Sequence, residues 1–480
     1  MSAPAGERAP RVVLVSTYDL GRQPFGLASP AAWLERLGAV VTCNDLAVEP
    51  LDQRAVRDAE FVAFHLPMHT ATRLAARVAR EVRALNPGAR LGFFGLYAPM
   101  NEAHLRGLGA DLVIGGEFER ALADWVSGGA PPGGTVSLER LPFVVPDRRG
   151  LPDLSRYARL IRDGEEHAVG YTEASRGCKH LCRHCPVVPV YRGHFRIVPR
   201  DVVLADIRQQ VEAGARHITF GDPDFWNGIG HAQPIVRALH DEFPALTYDV
   251  TIKIEHLLRH GEHLGTLRDT GCLFVTSAVE SVDDRVLRIL EKAHTRADFV
   301  EVLRRFRAVG LALHPTFVAF TPWITADGYL ALLQSIRDLD LIESVAPVQL
   351  AIRLLIPAGS RLLELPDVRS LVGPFDEARL CHPWEHPDPR VDSLQREIET
   401  MVRDATARGE SRSQIFDRAW ECAEGAAEER VHAPALEYAG VAAHAAVAAR
   451  DALAQRAGFL HTAREPKRAP IPFLTEPWYC

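Results

Sequence analysis

Apolar and polar residues along the first part of the chain follow two alternating patterns, short β-branched runs and longer segments with helical spacing. The runs predict buried strands at Arg11–Ser16, Val40–Thr42, Phe61–His65 and Leu91–Phe94, with helices such as Ala31–Leu37 and Ala71–Leu85 between them. Alternating strands and helices form right-handed crossovers and therefore favour a parallel sheet with helices on both faces. Residues 11–128 are predicted to form an open, doubly wound α/β domain.

A second series of strands and helices begins near residue 171. Six strands are predicted at Tyr171–Ala174, His217–Phe220, Tyr248–Ile252, Leu273–Ser277, Leu311–Phe317 and Val345–Leu350, with helices such as Asp201–Ala213 and Asp283–Leu290 between them. Six strands are too few for a closed eight-stranded barrel. We therefore expect a partial (β/α)6 barrel of the TIM type over residues 165–364, with its reactive groups in the loops at the C-terminal strand ends.

Segments outside the two α/β series define the remaining organisation. The Gly/Pro-rich stretch Gly128–Gly134 indicates the end of the first domain, and residues 129–164 are expected to link it to the barrel. Residues 1–10 are expected to be disordered, and residues 365–480 are predicted to form a helical C-terminal domain. The helical patterns lie at Val391–Ala407 and Ala433–Ala454.

Length and charge limit the classes of partner. The chain has 480 residues, a net charge of -7 and a pI near 6.3, so several domains are expected and no broad basic surface is available for nucleic acid. A small molecule or peptide is favoured as the substrate. No apolar run reaches the roughly 18 residues that span a bilayer, and residues 1–10 lack a secretory signal, which predicts a cytoplasmic protein with no membrane partner.

Three of the eight cysteines, Cys178, Cys182 and Cys185, form a C-x3-C-x2-C motif on a loop after the first strand of the second series. Thiolates this close in sequence bind iron-sulfur clusters or zinc. A cubane cluster held by three cysteines has one iron without a protein ligand, which can bind the amino and carboxylate groups of a substrate. The alternative is a structural zinc site, with His180 or His184 as the fourth ligand.

The cysteine loop resembles the signature of radical S-adenosylmethionine (SAM) enzymes. Three later segments resemble those of cobalamin-type members: Gly221–Phe225 an acidic turn, Ala278–Thr295 a "GxES…KGHT" segment, and Ile356–Ser360 a "PYPGT" turn. The resemblance covers about residues 165–362. It implies a [4Fe-4S] cluster and SAM as cofactors, reductive cleavage of SAM to a carbon radical, and an electron donor such as flavodoxin or ferredoxin.

The resemblance also assigns individual residues. By motif position, Glu280 and Ser281 are expected near the ribose or amino-acid part of SAM, with Glu280 also a catalytic candidate, and Asp222 and Asp224 near a cofactor or substrate. For the acidic residues a helix cap or a salt bridge is the alternative. Arg353, at the end of the sixth predicted strand, is expected either to bind a carboxylate or to be an inward-facing structural residue.

In cobalamin-dependent radical enzymes a doubly wound domain precedes the barrel, and residues 11–128 resemble that module. Its small-residue turns would place bare backbone beside a flat cofactor, with Gly95, Tyr97, Gly115 and Gly116 as the binding candidates. The D-x-H-x-x-G motif of the methionine-synthase type is absent. Two histidines of this segment, His65 and His69, are each expected to be hydrogen-bonded structural residues, with ligation of cobalt as the alternative. Cobalamin is a candidate third cofactor, and a domain that has lost it is the alternative.

The final residues, Leu474–Cys480, resemble the approach to the tail of CUAEP/CCAEP-tail radical SAM proteins. On that resemblance, Cys480 is a catalytic candidate and the first member of a pair with selenocysteine or cysteine, and the native chain is expected to continue as a selenoprotein. A frayed terminus with an incidental thiol is the alternative. A soft thiol or selenol pair suits the capture of arsenic.

These expectations combine into a radical SAM transferase. It would transfer a methyl or 3-amino-3-carboxypropyl group from SAM to a small-molecule acceptor, with trivalent arsenic as a candidate and an organoarsenical as the product. One alternative is a cobalamin-independent radical SAM enzyme that abstracts hydrogen from a small molecule or peptide. A second alternative is a non-catalytic metal- or arsenic-binding protein.

Overall fold

A computed structural model of the chain describes residues 9–129, 133–432 and 472–475. Its first part is a six-stranded parallel sheet in the order β2-β1-β3-β4-β5-β6. The strands are β1 (Arg11–Ser16), β2 (Val40–Asp45), β3 (Phe61–His65), β4 (Arg90–Phe94), β5 (Ala110–Gly116) and β6 (Val136–Ser137), and the helices are α1 (Phe25–Arg36), α2 (Gln53–Asp58), α3 (His69–Leu85), α4 (Glu102–Gly107) and α5 (Glu119–Val126). The doubly wound fold predicted from the sequence is confirmed.

Both faces of this sheet are buried. Successive residues of a strand point to opposite faces, so each strand contributes side chains to two apolar clusters. In β1, Val12 and Leu14 pack into one apolar cluster with residues of α1 and α5. Val13 and Val15 pack into a second cluster, which holds residues of α2, α3 and α4. The near-continuous apolar runs read from the sequence therefore reflect burial on two faces.

The second sheet has seven strands in the order β14-β13-β12-β11-β8-β7-β15. Five of them form the parallel wall of a partial barrel: β8 (Glu165–Thr172), β11 (His217–Phe220), β12 (Thr247–Thr251), β13 (Cys272–Glu280) and β14 (Ala312–Phe317). Antiparallel strands extend one edge, namely β7 (Arg159–Arg162) and β15 (Phe473–Leu474). A separate hairpin pairs β9 (Ser175–Gly177) with β10 (Phe195–Ile197).

Helices cover the outside of the barrel and continue beyond it. They are α6 (Val187–Tyr191), α7 (Arg200–Glu212), α8 (Ile229–Glu242), α9 (Ile254–Arg259), α10 (Leu264–Asp269), α11 (Asp284–Ile289), α12 (Arg296–Val309), α13 (Ala326–Asp338), α14 (Pro366–Leu371), α15 (Pro389–Ala407) and α16 (Arg412–His432). Buried residues of α15 and α16, such as Ile398 and Phe416, belong to the same apolar cluster as the barrel helices. In the described part of the chain, no helix combines the length and apolarity needed to span a membrane.

The prediction of a sixth strand at Val345–Leu350 is wrong. The segment instead contains a 3-10 helix at Pro347–Leu350, and the proline that starts it lacks the N–H that a central strand must donate. The sixth position of the barrel is filled by a single parallel bridge between Phe320 and Arg353, where Leu354 N donates to Phe320 O at 2.8 Å. The predicted helix Ala433–Ala454, the terminal Cys480 and residues 1–8 of the segment expected to be disordered lie outside the described residues.

A buried arginine of the connecting segment ties the first sheet to the barrel. Arg148 pairs with Asp206 of α7 through two contacts of 2.7 and 2.8 Å, and the two side chains are 7% and 1% exposed. The same guanidinium donates to Gln23 Oε1 at 2.8 Å and to Tyr171 O at 2.6 Å. One side chain thus joins the loop after β1, the connecting segment and the first barrel strand.

A second buried contact holds the loop that follows the first barrel strand. Asp222, 2% exposed, accepts hydrogen bonds from Ser175 Oγ at 2.5 Å and from Ala174 N at 2.9 Å. Burial raises the pKa of Asp222 to about 7 although both hydrogen bonds lower it. The carboxyl therefore stays protonated well above the usual range of an aspartic acid.

We expect Arg148→Ala to lower the free energy of unfolding by about 3–5 kcal/mol, because it leaves the Asp206 carboxylate buried without its ion-pair partner. Arg208→Ala is the matched control, because Arg208 lies on α7, the helix that also carries Asp206. Arg208 pairs with Glu242 on the surface, so little change is expected. Urea denaturation followed by circular dichroism measures both variants, and equal losses in the two would contradict the role of Arg148.

The Asp222 carboxyl makes stability depend on pH. The folded state keeps its proton up to about pH 7, whereas an unfolded aspartic acid loses it near pH 4. The stability that Asp222 contributes is therefore full below about pH 4 and is lost as pH rises to about 7. We expect the unfolding free energy of wild type minus that of Asp222→Asn to fall over this range, on the order of a few kcal/mol. Asp241→Asn is the exposed control, and a constant difference for Asp222→Asn would contradict the assignment.

Candidate cofactor cavity and cysteine loop

The cysteine loop leaves β9 through a position that only glycine can occupy. Gly177 has φ +74°, and a Cβ there would lie 2.4 Å from the ring of Tyr191 and 2.5 Å from His194 O. The hairpin of β9 and β10 closes the base of the loop, and α6 follows the last cysteine of the motif. The backbone is thus turned sharply at the residue before Cys178.

Contacts from distant segments hold the loop in place. Asn227 donates to Gly177 O at 3.4 Å, and its Oδ1 accepts from Lys179 N at 3.4 Å and lies 3.7 Å from the Sγ of Cys178. On the other side, Arg183 donates to Ile289 O at 2.9 Å. The late turn seen in the sequence also reaches the loop, because Ser360 Oγ donates to the main-chain oxygen of Arg183 at 3.2 Å.

The three cysteines are free thiols that line one cavity. Burial, with Asp224 and neighbouring sulfur nearby, raises the pKa of Cys178 to about 11, and burial raises that of Cys185 to about 12. Buried thiols of this kind ionise when a bound cation compensates the charge. Three soft ligands from one short loop, facing a common space, therefore fit an iron-sulfur cluster.

Glu280 stands beside this loop in a buried ion-pair network. Its Oε1 lies 3.3 Å from Lys292 Nζ and 3.0 Å from His184 Nε2. Burial alone would raise the pKa of Glu280, but the Lys292 ammonium and His184 lower it to about 2. Glu280 also has φ +68° where the pairing of β13 with β14 shifts register. Left-handed backbone at a non-glycine residue concentrates at functional sites.

A second polar group lies on the opposite side of the loop. Asp224 Oδ2 is 2.7 Å from Nδ1 of His256, and the other ring nitrogen of His256 is 3.3 Å from His180 Nε2. Lys253 Nζ lies 3.1 Å from His180 Nδ1. Of these four residues, His180, Asp224 and Lys253 line the cavity. The cavity wall around the cysteines thus offers both ammonium and carboxylate groups to a charged ligand.

The cavity extends from the cysteine loop to the C-terminal strand ends of the first sheet. Its empty volume is about 2030 Å³, and part of this space is open to solvent. The first-sheet end is lined by small and apolar residues, among them Phe25, Gly26, His65, Gly95, Leu96, Tyr97, Gly116 and Phe118. One continuous space thus lies between the two sheets.

Arg176 forms the wall between the two ends of the cavity. It is 6% exposed, and it pairs with Glu119 at 2.7 Å and with Glu117 at 3.4 Å from the first sheet. It also pairs with Glu173 of the barrel at 2.8 Å. Burial raises the pKa of Glu117 to about 7 although Arg176 opposes the rise. The guanidinium fixes the hairpin that carries the cysteines against the end of β5.

A smaller cavity occupies the barrel interior below the cysteine loop. Its lining is mixed, and the polar residues in it include Thr219, Asp222, Asp249, Thr276, His314, Thr316, Gln349 and Arg412. Three residues, Arg22, Gly221 and Thr251, line both cavities, so the two spaces adjoin. The side chain of Phe473 from β15 also contributes to this lining. A small polar molecule held there would lie next to the larger cavity.

The structure brings most of the predicted site residues to these two cavities. Gly95, Tyr97, Gly116, Asp224, Glu280 and the three cysteines line the larger one, and Asp222 lines the smaller one. Ser281 and Gly115 do not line either, since Ser281 Oγ accepts from Asp283 N and a Cβ at Gly115 would meet Pro99. Cys480 lies outside the described residues.

Arg353 is likewise not brought to either cavity. Its guanidinium pairs with Asp392 Oδ1 at 2.6 Å, donates to Trp384 O at 2.6 Å and lies 3.5 Å from the centre of the Trp384 ring. The side chain therefore attaches α15 and the segment before it to the sixth position of the barrel. Of the two roles considered from the sequence, this contact set agrees with the structural one.

Sequence reasoning missed several residues of the site. Arg176, Asn227 and Lys253 carry no motif of their own, and each acts through a partner far away in the chain. Lys292 lies inside the "KGHT"-like segment, which could have indicated it as the partner of Glu280. For the other three residues no local signal exists.

Comparison with known proteins agrees with this architecture. Residues 172–321 match the family model described as "Radical SAM superfamily". Among curated proteins, tRNA-2-methylthio-N(6)-dimethylallyladenosine synthase of Salmonella paratyphi A is 24% identical over 277 residues, which are 54% of this chain and 56% of that protein. The same enzyme from Haemophilus influenzae is 25% identical over 266 residues, 52% of this chain and 53% of that protein. The chain thus spans about half the length of these curated relatives.

Two solved structures share the fold over much more of the chain. The radical SAM methyltransferase TsrM from Kitasatospora setae, with cobalamin and a [4Fe-4S] cluster bound, superposes with a TM-score of 0.64 at 15% identity, covering 88% of this chain and 100% of that one. OxsB, a cobalamin-dependent SAM radical enzyme, gives a TM-score of 0.67 at 12% identity, covering 94% and 75%. Residues 172–321 thus match the radical SAM superfamily model, and the chain shares the fold of these two solved structures.

Proposed function

We propose that this protein is a cobalamin-dependent radical SAM transferase, which moves a methyl or 3-amino-3-carboxypropyl group from SAM to a small-molecule acceptor. The observation that carries the proposal is the larger cavity, which has the three cysteines at one end and the bare strand ends of the first sheet at the other. Its lining is mainly apolar with a few charged groups, as is usual for cofactor sites. One space thus serves the cluster, the cosubstrate and a flat cofactor.

Each group has residues suited to hold it. Cys178, Cys182 and Cys185 would hold the [4Fe-4S] cluster, which when bound supplies the electron that opens a sulfonium bond of SAM. Glu280 and Lys292 are placed to bind the polar groups of SAM, because both are buried and line the cavity beside the cysteines. An external protein such as a flavodoxin or ferredoxin would supply the electron.

The first-sheet end of the cavity supports cobalamin binding. Gly95 has φ +108°, and a Cβ there would lie 2.9 Å from Leu66 O, so only bare backbone fits at this strand end. Gly116 is also left-handed, with φ +75°. Both glycines line the cavity between Tyr97 and Phe118, which provide apolar faces for a flat ring.

The acceptor is proposed to bind in the smaller cavity of the barrel interior. Threonine hydroxyls, Asp249 and His314 line this space, so a compact molecule with several polar groups would find hydrogen-bond partners. Its junction with the larger cavity at Thr251 and Gly221 would bring such a molecule close to SAM. Trivalent arsenic is our candidate acceptor. It is supported by the soft thiol of Cys480, which lies outside the described residues.

Loss of any one motif cysteine is expected to remove the cluster. After anaerobic reconstitution, Cys178→Ala, Cys182→Ala and Cys185→Ala should each lose the visible absorbance, iron and sulfide of a [4Fe-4S] cluster, since an iron loses its protein ligand. Cys422→Ala is the matched control, because this cysteine lies on α16 away from the cavity and alanine suits a helix. One tetrahedral zinc per chain without sulfide in the wild type would contradict the proposal.

The fate of SAM distinguishes the transfer reactions from the alternatives. With hydroxocobalamin, dithionite and arsenite present, we expect S-adenosylhomocysteine for methyl transfer or methylthioadenosine for 3-amino-3-carboxypropyl transfer, measured by liquid chromatography with mass spectrometry. Arsenite-dependent formation of either product, together with a new carbon–arsenic compound, would support arsenic as the acceptor. Deoxyadenosine alone would indicate hydrogen abstraction without cobalamin, and no product would indicate a binding protein.

A further inference from the structure

Three arginines line the two cavities, and they differ in how their guanidinium groups are used. Arg176 pairs with three carboxylates, and Arg412 donates to Glu343 O and lies with its guanidinium 4.6 Å from the centre of the Phe473 ring. The third, Arg22, forms no ion pair and no side-chain hydrogen bond with any residue that the structure describes. Its five N–H donors are therefore available to a ligand.

Arg22 stands at the junction of the two cavities. It lies in the loop between β1 and α1, and it lines both spaces together with Gly221 and Thr251 of the barrel. The central carbon of its guanidinium is 4.9 Å from the centre of the Tyr171 ring, and Phe25 packs edge-on against the same ring at 6.4 Å. The aromatic ring thus holds the guanidinium in place without using any of its donors.

The hydroxyl of Tyr171 is a second polar group without a partner at this junction. Tyr171 is only 9% exposed, and burial raises its pKa, so the hydroxyl keeps its proton and can donate it. A Cβ at Gly221 would lie 1.8 Å from the hydroxyl oxygen, so the phenol ends directly over a glycine that lines both cavities. No described residue hydrogen-bonds this oxygen, yet it is not sealed from its surroundings.

The acidic side chains near Arg22 do not neutralise it. Burial raises the pKa of Asp19 to about 7 although Arg22 opposes the rise, so this carboxyl keeps its proton up to about neutral pH. Glu173, the next acidic residue along the cavity wall, pairs with Arg176 instead. The junction therefore carries an uncompensated positive charge, and an anion that binds there would replace the hydration that the guanidinium has lost.

We infer that Arg22 and Tyr171 bind an acid group of the acceptor, a carboxylate or a phosphate, at the junction of the two cavities. Arginine suits this role because its planar fork donates two parallel hydrogen bonds to either group. The inference rests on the proposed function, in which the acceptor enters the smaller cavity, and it names the chemical class of that acceptor. An acceptor that contains arsenic would have to carry an acid group as well.

The position of Arg22 favours the acceptor over SAM as the source of the acid group. In the proposed function the polar groups of SAM lie beside the cysteines, where Glu280 and Lys292 line the larger cavity. Arg22 also lines the smaller cavity, which neither of those two residues does. A molecule anchored by its acid group at the junction could extend into the smaller cavity and still face SAM.

The test measures the binding of two probe anions to the reconstituted, oxidised holoprotein without an acceptor. Acetate represents a carboxylate and is followed by saturation-transfer NMR of its methyl protons. Inorganic phosphate represents a phosphate and is followed by line broadening of its phosphorus-31 signal. We expect saturable binding of at least one probe to the wild type and a loss of about tenfold in affinity in Arg22→Gln, because hydrogen bonds between charged groups are removed. The probe with the larger loss identifies the acid group.

Three further variants assign the binding to this site. Tyr171→Phe removes only the hydroxyl and should weaken binding several-fold, whereas Arg22→Lys keeps the charge and should retain part of the affinity that Arg22→Gln loses. Arg337→Gln is the matched control, because the Arg337 guanidinium also lies over an aromatic ring, 3.7 Å from the centre of Trp420, but lines neither cavity. Its affinity should equal that of the wild type. Thermal melts followed by circular dichroism check that each variant is folded.

The outcomes separate the inference from the proposed function. Binding that is unchanged in Arg22→Gln, or no binding of either probe to a wild type that forms the cluster and cleaves SAM, would overturn the inference and leave the proposed function standing. Binding that depends on Arg22 in a protein that forms no cluster would overturn the proposed function, and with it the assignment of the acid group to an acceptor.

Discussion

The larger cavity depends on a guanidinium that is held between two sheets away from water. Arg176 comes from the hairpin that carries the cysteines, and its partners Glu117 and Glu119 follow the last long strand of the first sheet. A buried guanidinium is stable only where carboxylates replace its lost hydration. The two sheets therefore meet in an arrangement that brings these charges together, and that arrangement determines which strand ends face the cysteine loop.

The same packing explains why small residues line the first-sheet end. Gly95 and Gly116 line this end, and they let neighbouring backbone come close, because a Cβ there would collide with Leu66 O and Ser137 O. Gly26 does the same for the ring of His65. The cavity thus arises from a combination of one buried ion-pair network and the absence of Cβ atoms at a few strand and helix ends.

Local patterns predicted the elements well where burial and backbone pairing coincide. The bounds of Phe61–His65 and His217–Phe220 agree between sequence and structure, because each is a short apolar run buried on both faces. The run Val345–Leu350 is equally apolar but forms a 3-10 helix, since an apolar run reports burial and says nothing about pairing. The bridge at Arg353 joins a single pair of residues, and so short a pairing could not be predicted from the sequence.

The candidate site also contains residues that the sequence predicts and residues that only the fold brings together. The cysteines were predictable because the three ligands lie within eight positions of the sequence, whereas Asn227 holds Cys178 across a separation of 49 residues. Distances of that kind are fixed by the fold of the whole barrel. A similar limit applies to Glu280, whose motif was visible but whose left-handed backbone and pairing with Lys292 depend on how β13 meets β14.

Burial of the cysteines makes their ionisation depend on the charged groups around them. The thiols of Cys178 and Cys185 resist ionisation because the protein removes them from water, and cluster binding requires them as thiolates. The positive charge of Lys292, already paired with Glu280, lies close enough to favour the thiolate of Cys185. Under the proposed function, in which Glu280 and Lys292 bind SAM, the same buried charges would also lower the cost of holding the cluster.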